Sequence, residues 1–149
     1  MKLRYAENLR IVNYPEYTVA EVRNPWDTLK TLHTYILTDK TKPVPESVPE
    51  GTVVRVPLER TLVYSVVHGS LLNELGALDN IRGVCNSEYF KLPEVQERCR
   101  EGIITDCGNS MSPDIERIIE LNPDGILLSP FENNGGYGRV GKRNIPLSE

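Results

Sequence analysis

Between Thr61 and Leu128 the chain alternates two hydrophobic patterns. Leu62, Val63 and Tyr64 form a short apolar run with no polar alternation. A segment with Leu71, Leu72, Leu75 and Leu78 on one side follows, then a second run at Ile81–Val84. Ile115, Ile118, Ile119 and Leu121 recur at helical spacing, and a third run closes the series at residues 126–128. Parallel strands are covered on both faces and so lose polar alternation. Apolar runs punctuated by Gly, Asn and Pro, with 3.6-period segments between them, read as βαβ units. The pattern predicts an α/β fold with a parallel sheet flanked by helices.

The second helix has clear end signals. Ser112 suits the N-cap, Pro113 the first helical position, and Asp114 and Glu116 the first turn near the positive end of the dipole. Asn122-Pro123 ends it, because the residue before proline avoids the α region. Residues 89–102 read as a loop and a short surface helix, and residues 130–144 as a Gly/Asn-rich loop. A further strand begins at residues 145–147. A doubly wound sheet whose next strand has only begun reads as part of a longer chain.

Residues 1–60 are β-rich and alternate around Tyr14, Tyr17 and Val19. Residues 32–39 and 51–58 are further strand candidates, and the polar, Pro-rich segment between them is an exposed loop. Two or three antiparallel strands are expected, packed on or extending the sheet that starts at Thr61. So polar a segment would bury little alone, which favours one core. The division is a β-rich N-terminal extension over 1–60 and an α/β lobe over 61–149.

Composition narrows the function. The chain has 149 residues, 39% of them hydrophobic, and a formal charge of −4. That is a globular composition, and without a basic stripe nucleic acid is not an expected partner. No run approaches the roughly 18 apolar residues of a membrane span. MKLRYAENLR has no apolar core of an export signal, so the protein is cytosolic or Met1 stands where a signal has been removed. Cys85, Cys99 and Cys107 lack the spacing of a zinc site. Cys85 and Cys107 would be candidates for a disulfide in an exported protein; small half-buried thiols are the plainer reading.

Ligands of open parallel sheets bind beyond the carboxyl ends of the strands. The first such loop offers His68 and Ser70. The second offers Asn86, Tyr89 and Phe90; the third Asn109, Ser110 and Met111; the fourth Phe131, Asn133 and Tyr137. This mixture is aromatic and uncharged-polar, which suits recognition of a bulky ligand better than acid–base catalysis. His68 beside Ser70 keeps a hydrolase reading open, against a loop histidine bonded to neighbouring backbone. HGS is not a phosphate-binding motif, and GGYG at 135–138 is a weak one. Glu116 and Glu120 share an outward helical face at i, i+4. The like charges there cost a few tenths of a kcal/mol, roughly, and would welcome a basic partner.

TLVYS, the helix ending in ELGALDNIRGV, DCGNS and SPDIERIIELNPDGILLS together resemble the first lobe of ABC-transporter substrate-binding proteins of the helical-backbone class. The resemblance covers about half of the chain. It implies a Rossmann-like lobe, one of two that close on an iron–siderophore complex, haem or cobalamin. It implies no intrinsic cofactor and no catalysis. It further implies export, often as a lipoprotein, and a monomeric periplasmic protein that delivers ligand to an inner-membrane permease. Glu116 occupies the position of the family's docking glutamate, which pairs with permease arginines. Where many relatives have Ser-Pro this chain has SVVHGSLL, so His68 becomes a candidate ligand contact. Two histidines, His33 and His68, do not fit the metal-ion branch of the superfamily. The rivals are the hydrolase and a standalone interaction domain.

Overall fold

The computed structural model describes residues 3, 4, 6–128 and 147–148. Contacts divide the chain into two units, Met1–Pro57 and Leu58–Glu149.

In the first unit, β1 (Leu9–Asn13), β2 (Tyr17–Asn24), β3 (Asp27–Asp39) and β4 (Thr52–Val56) form a four-stranded sheet in that order. The first two pairings are antiparallel and β4 joins β3 in parallel. This corrects the expectation of two or three antiparallel strands: there are four, in a sheet of their own. A parallel return needs a long crossover, and the Pro-rich connection 40–51 supplies it. Arg55 fastens the start of that connection, donating to Thr38 Oγ1 at 3.3 Å and to the carbonyls of Lys40 and Lys42. Val19 and Ile36 lie opposite each other in the ladder and are buried, as are Val54 and Thr38.

The second unit runs β5 (Thr61–Val63), α1 (Val66–Glu74), β6 (Ile81–Val84), α2 (Pro93–Arg100), β7 (Thr105–Asp106), β8 (Gly108–Asn109), β9 (Ser112–Pro113), α3 (Ile115–Leu121), β10 (Gly125–Leu127) and β11 (Leu147–Ser148). Strands β11, β10, β5, β6 and β7 make one sheet in that order, with every pairing parallel. The expected α/β architecture is therefore present.

Neighbouring residues of β5 explain its unbroken apolar run. Leu62 packs with Tyr64, Cys85, Cys107, Ile118, Leu121, Ile126 and Leu128. Val63 joins Leu78, Ile81, Val84, Phe90, Val95 and Ile104 in a second cluster. Successive strand residues point to opposite faces, so both faces of this sheet are covered. Each fully buried side chain contributes about 1.5–3 kcal/mol. Cys85 and Cys107 are fully buried and Cys99 half-buried, with no disulfide joining them, so two of the three thiols lie deeper than the half-buried reading expects.

Two helix details differ from the sequence pattern. Leu71 and Leu75 are 52% and 78% exposed, so they do not form the inner face of α1. The packed positions are Val66, Gly69 and Leu72, one turn apart, and Leu78 is buried only in the short helical turn Leu78–Asn80. At α3, the N-cap is Asp114, whose Oδ1 accepts from Arg117 N at 3.1 Å. Ser112 and Pro113 are held instead in the β8–β9 ribbon, where Gly108 pairs with Pro113. The other end is as expected, with Asn122 in the left-handed region at φ 51°.

Candidate functional site

Because all strands of the second sheet are parallel, their carboxyl ends share one edge. The chain passes from β5 to β6 to β7, then crosses back to the other side of β5 as β10. In open α/β sheets, such a reversal, here between β5 and β10, is where ligands bind outside the strand ends. The loop after β5 opens directly into α1, with Ser65 Oγ accepting from Val67 N at 3.2 Å. His68 and Ser70, both half-buried, thus ride on the first turns of a helix that begins just past β5, not on a loop.

Beyond β6 the chain turns sharply. Asn86 adopts the left-handed conformation at φ 52°, which Asn tolerates better than most residues. Its amide nitrogen donates to Ser110 Oγ at 2.7 Å, and Ser110 N returns a bond to Asn86 Oδ1 at 3.1 Å. A second tie lies beneath. Ser87 Oγ donates to Asp106 Oδ2 at 2.6 Å, while Asp106 Oδ1 accepts from Gly108 N at 2.9 Å. Arg117 Nη1 donates to the Asp106 carbonyl at 2.8 Å. These contacts lock the loops after β6 and β7 together. Ser87 and Asp106 were not among the sequence candidates, because their pairing spans 19 positions and no local pattern announces it.

The candidates consequently divide by position. Tyr89 and Met111 are 63% and 65% exposed, and Asn109 is exposed between them in chain order. Tyr89 is tied to Asn86 through its N–H, 3.0 Å from the Asn86 carbonyl. Asn86 and Ser110 spend their side chains on each other. Phe90 is corrected outright: its ring has no solvent exposure and belongs to the core. A Cβ at Gly69 would stand 2.5 Å from Phe90 Cε1, so the glycine makes room for the ring and joins α1 to the loop after β6. Phe131, Asn133 and Tyr137 lie outside the described residues.

His68 Nδ1 is buried and has no hydrogen-bond partner among the described residues. The backbone bond expected of a plain loop histidine is therefore not made by that atom among them, nor is the carboxylate contact that would orient a general base. Among the described residues, no three His, Cys, Asp or Glu side chains gather into a metal site.

Burial dominates the thiol chemistry next to the rim. It pushes the Cys107 thiol up to about 12; Asp106 and Asp114 add to this and Arg117 opposes it. Cys99 is raised for the same first reason, with Asp106 adding. The shift favours the thiol form of both over the nucleophilic thiolate.

Helix α3 starts at this same edge, since Asp114 N donates to the Cys107 carbonyl at 2.8 Å, just past β7. Its first turn carries Glu116, which is exposed, and Glu120 is exposed one turn later. Arg117 is turned away to Asp114, at 3.3 Å, and to the Asp106 carbonyl. Among the described residues, neither glutamate has an ion-pair partner.

No family model matches the chain. An uncharacterised lipoprotein of Methanocaldococcus jannaschii is 27% identical over 148 residues, covering 86% of this chain and 35% of that protein. This chain thus spans about a third of that relative's length. Among solved structures, a possible iron-binding (periplasmic solute-binding) protein of Staphylococcus epidermidis superposes with a TM-score of 0.52 at 18% identity, over 61% of this chain and 34% of the other. The petrobactin-binding protein YclQ of Bacillus subtilis superposes with a TM-score of 0.50 at 21% identity, over 87% of this chain and 36% of the other. At these identities the likeness is one of fold. It covers about a third of each two-lobe protein, which fits one lobe.

Proposed function

We propose that this chain is the N-terminal lobe of the solute-binding component of an ABC importer. The observation that carries the reading is the single edge. Four parallel strands end there, the exposed Tyr89, Asn109 and Met111 stand on it, and α3 begins there with Glu116 in solvent. Such an edge is half of a jaw. Two of its loops are bolted together by Asn86–Ser110 and Ser87–Asp106, so the ligand meets a preformed surface.

The ligand is an iron chelate of the siderophore type, with haem and cobalamin as the alternatives. A bulky, partly aromatic solute matches the aromatic, thioether and amide groups of the rim, with His68, Ser70, Phe131 and Tyr137 as further contacts. The protein performs no chemistry on it and needs no resident cofactor. Its work is differential affinity between open and closed lobes. Export and membrane anchoring as a lipoprotein accord with the lipoprotein relative. The working unit is a monomer that presents Glu116 to arginines of the permease.

The test is calorimetric titration of the full-length protein with ferric siderophores, haem and cobalamin. Saturable binding of one class at micromolar concentration is expected. Absence of heat and of any absorbance change with all three sinks the ligand assignment.

A further inference from the structure

Where β2 meets β3 the ladder is irregular. Asn24 pairs with Asp27 but Arg23 pairs with Thr31, so residues 28–30 have no opposite number on β2. Extra residues on one strand bend it and re-aim its side chains. Leu29, inside that excess, is 96% exposed; Trp26 in the turn is 79% exposed and Leu32 39%. Trp26 is the single tryptophan of the chain. Large apolar groups concentrated at one exposed turn mark a place of contact.

Several polar groups of this turn are matched in advance. Trp26 N donates to Asn24 Oδ1 at 2.9 Å, and Leu29 N to Asp27 Oδ1 at 3.3 Å. The Lys30 ammonium lies 3.2 Å from Asp27 Oδ2. Pro25 has no N–H to satisfy. These groups carry their partners with them on leaving water, which lowers the desolvation penalty.

We propose that the hairpin tip, residues 24–32, seats in the interfacial region of a lipid bilayer. Tryptophan favours the headgroup level, where its ring is buried and its N–H stays wet. Leu29 then reaches the acyl boundary. A bilayer suits this feature better than a protein groove does. The Asp27 and Lys30 charges cancel, and a projecting apolar turn needs no complementary socket in a fluid phase. The inference stands on the hairpin itself; the membrane-anchored reading supplies only its setting.

The single tryptophan makes the test direct. The chain, without any lipid anchor, is titrated with phosphatidylcholine vesicles and with vesicles containing anionic phosphatidylglycerol. The expected result is a blue shift of Trp26 emission and quenching by lipids brominated in the acyl chain, alike for both compositions and insensitive to salt. Leu29→Lys should weaken partitioning about tenfold or more. Leu71→Lys, at another exposed leucine, should leave it unchanged. The proposal is overturned by no shift with either vesicle, or by a shift with anionic vesicles alone that salt abolishes. A shift that grows with protein concentration without vesicles overturns it too, in favour of a second copy. A failed chelate titration bears on none of these readouts.

Discussion

Asn86 and Ser110 hold each other by two hydrogen bonds, of 2.7 and 3.1 Å, across the loops that follow β6 and β7. Ser110 is only 5% exposed and Asn86 sits at φ 52°. Asn86→Ala removes both bonds and forces a Cβ-bearing residue without polar compensation into the left-handed region. The expected loss is about 2–3 kcal/mol of stability. Urea denaturation followed by circular dichroism measures it. Ser110→Ala should cost less, about 1 kcal/mol, since the backbone bond to Asn86 Oδ1 survives.

Gly69 and Phe90 form the other joint of the rim. A methyl at position 69 would lie 2.5 Å from a fully buried ring, so Gly69→Ala should destabilise by about 1–3 kcal/mol. Phe90→Leu in the same chain should recover part of that loss. A double-mutant cycle reports the coupling. An additive result would show that the ring moves aside freely.

A substitution at Glu116 tests the proposed docking role apart from folding and capture. Glu116→Lys alters an exposed residue and should change stability by no more than about 0.5 kcal/mol. Ligand affinity of the full-length protein should also hold. Stimulation of the reconstituted permease's ATPase should fall sharply. Unimpaired stimulation would remove Glu116 from the docking surface.

Alkaline pH should destabilise the α/β unit in part through Cys107. Its folded-state pKa is raised from an ordinary 9.0 to about 12, chiefly by burial. A raised pKa means that the folded state holds its proton more tightly than the unfolded chain does. The contribution is therefore intact below pH 9 and is lost as pH climbs from about 9 toward 12. Denaturation midpoints between pH 8 and about 11 should fall, and Cys107→Ala should flatten that slope. At pH 8 Cys107 should resist a thiol reagent until denaturant is added.

Local chemistry made a good part of this legible. The unbroken runs at β5, β6 and β10 reflect strands with both faces covered, and Asn122-Pro123 ended α3 where the backbone does end it. Glu116 read as outward-facing and is exposed. Local pattern misleads where two elements compete for one residue. Ser112 is a good N-cap by type, but the ribbon with Asn109 claims it and Asp114 takes the cap. Phe90 looked like a rim aromatic because its loop leaves a strand end; the space over Gly69 drew it inward.

By itself, then, the sequence determined the main strands and helices of the α/β unit and which edge their loops share, because apolar periodicity and turn chemistry act over a few residues. Tertiary structure alone decided which rim side chains stay free. Asn86 is consumed by Ser110, 24 positions away, and Ser87 by Asp106, 19 away. It also decided that Leu71 faces water and Leu29 projects from a bulge. Those outcomes depend on what packs or pairs across the fold, and only chain closure brings such partners within the few ångströms over which a hydrogen bond or a van der Waals contact acts.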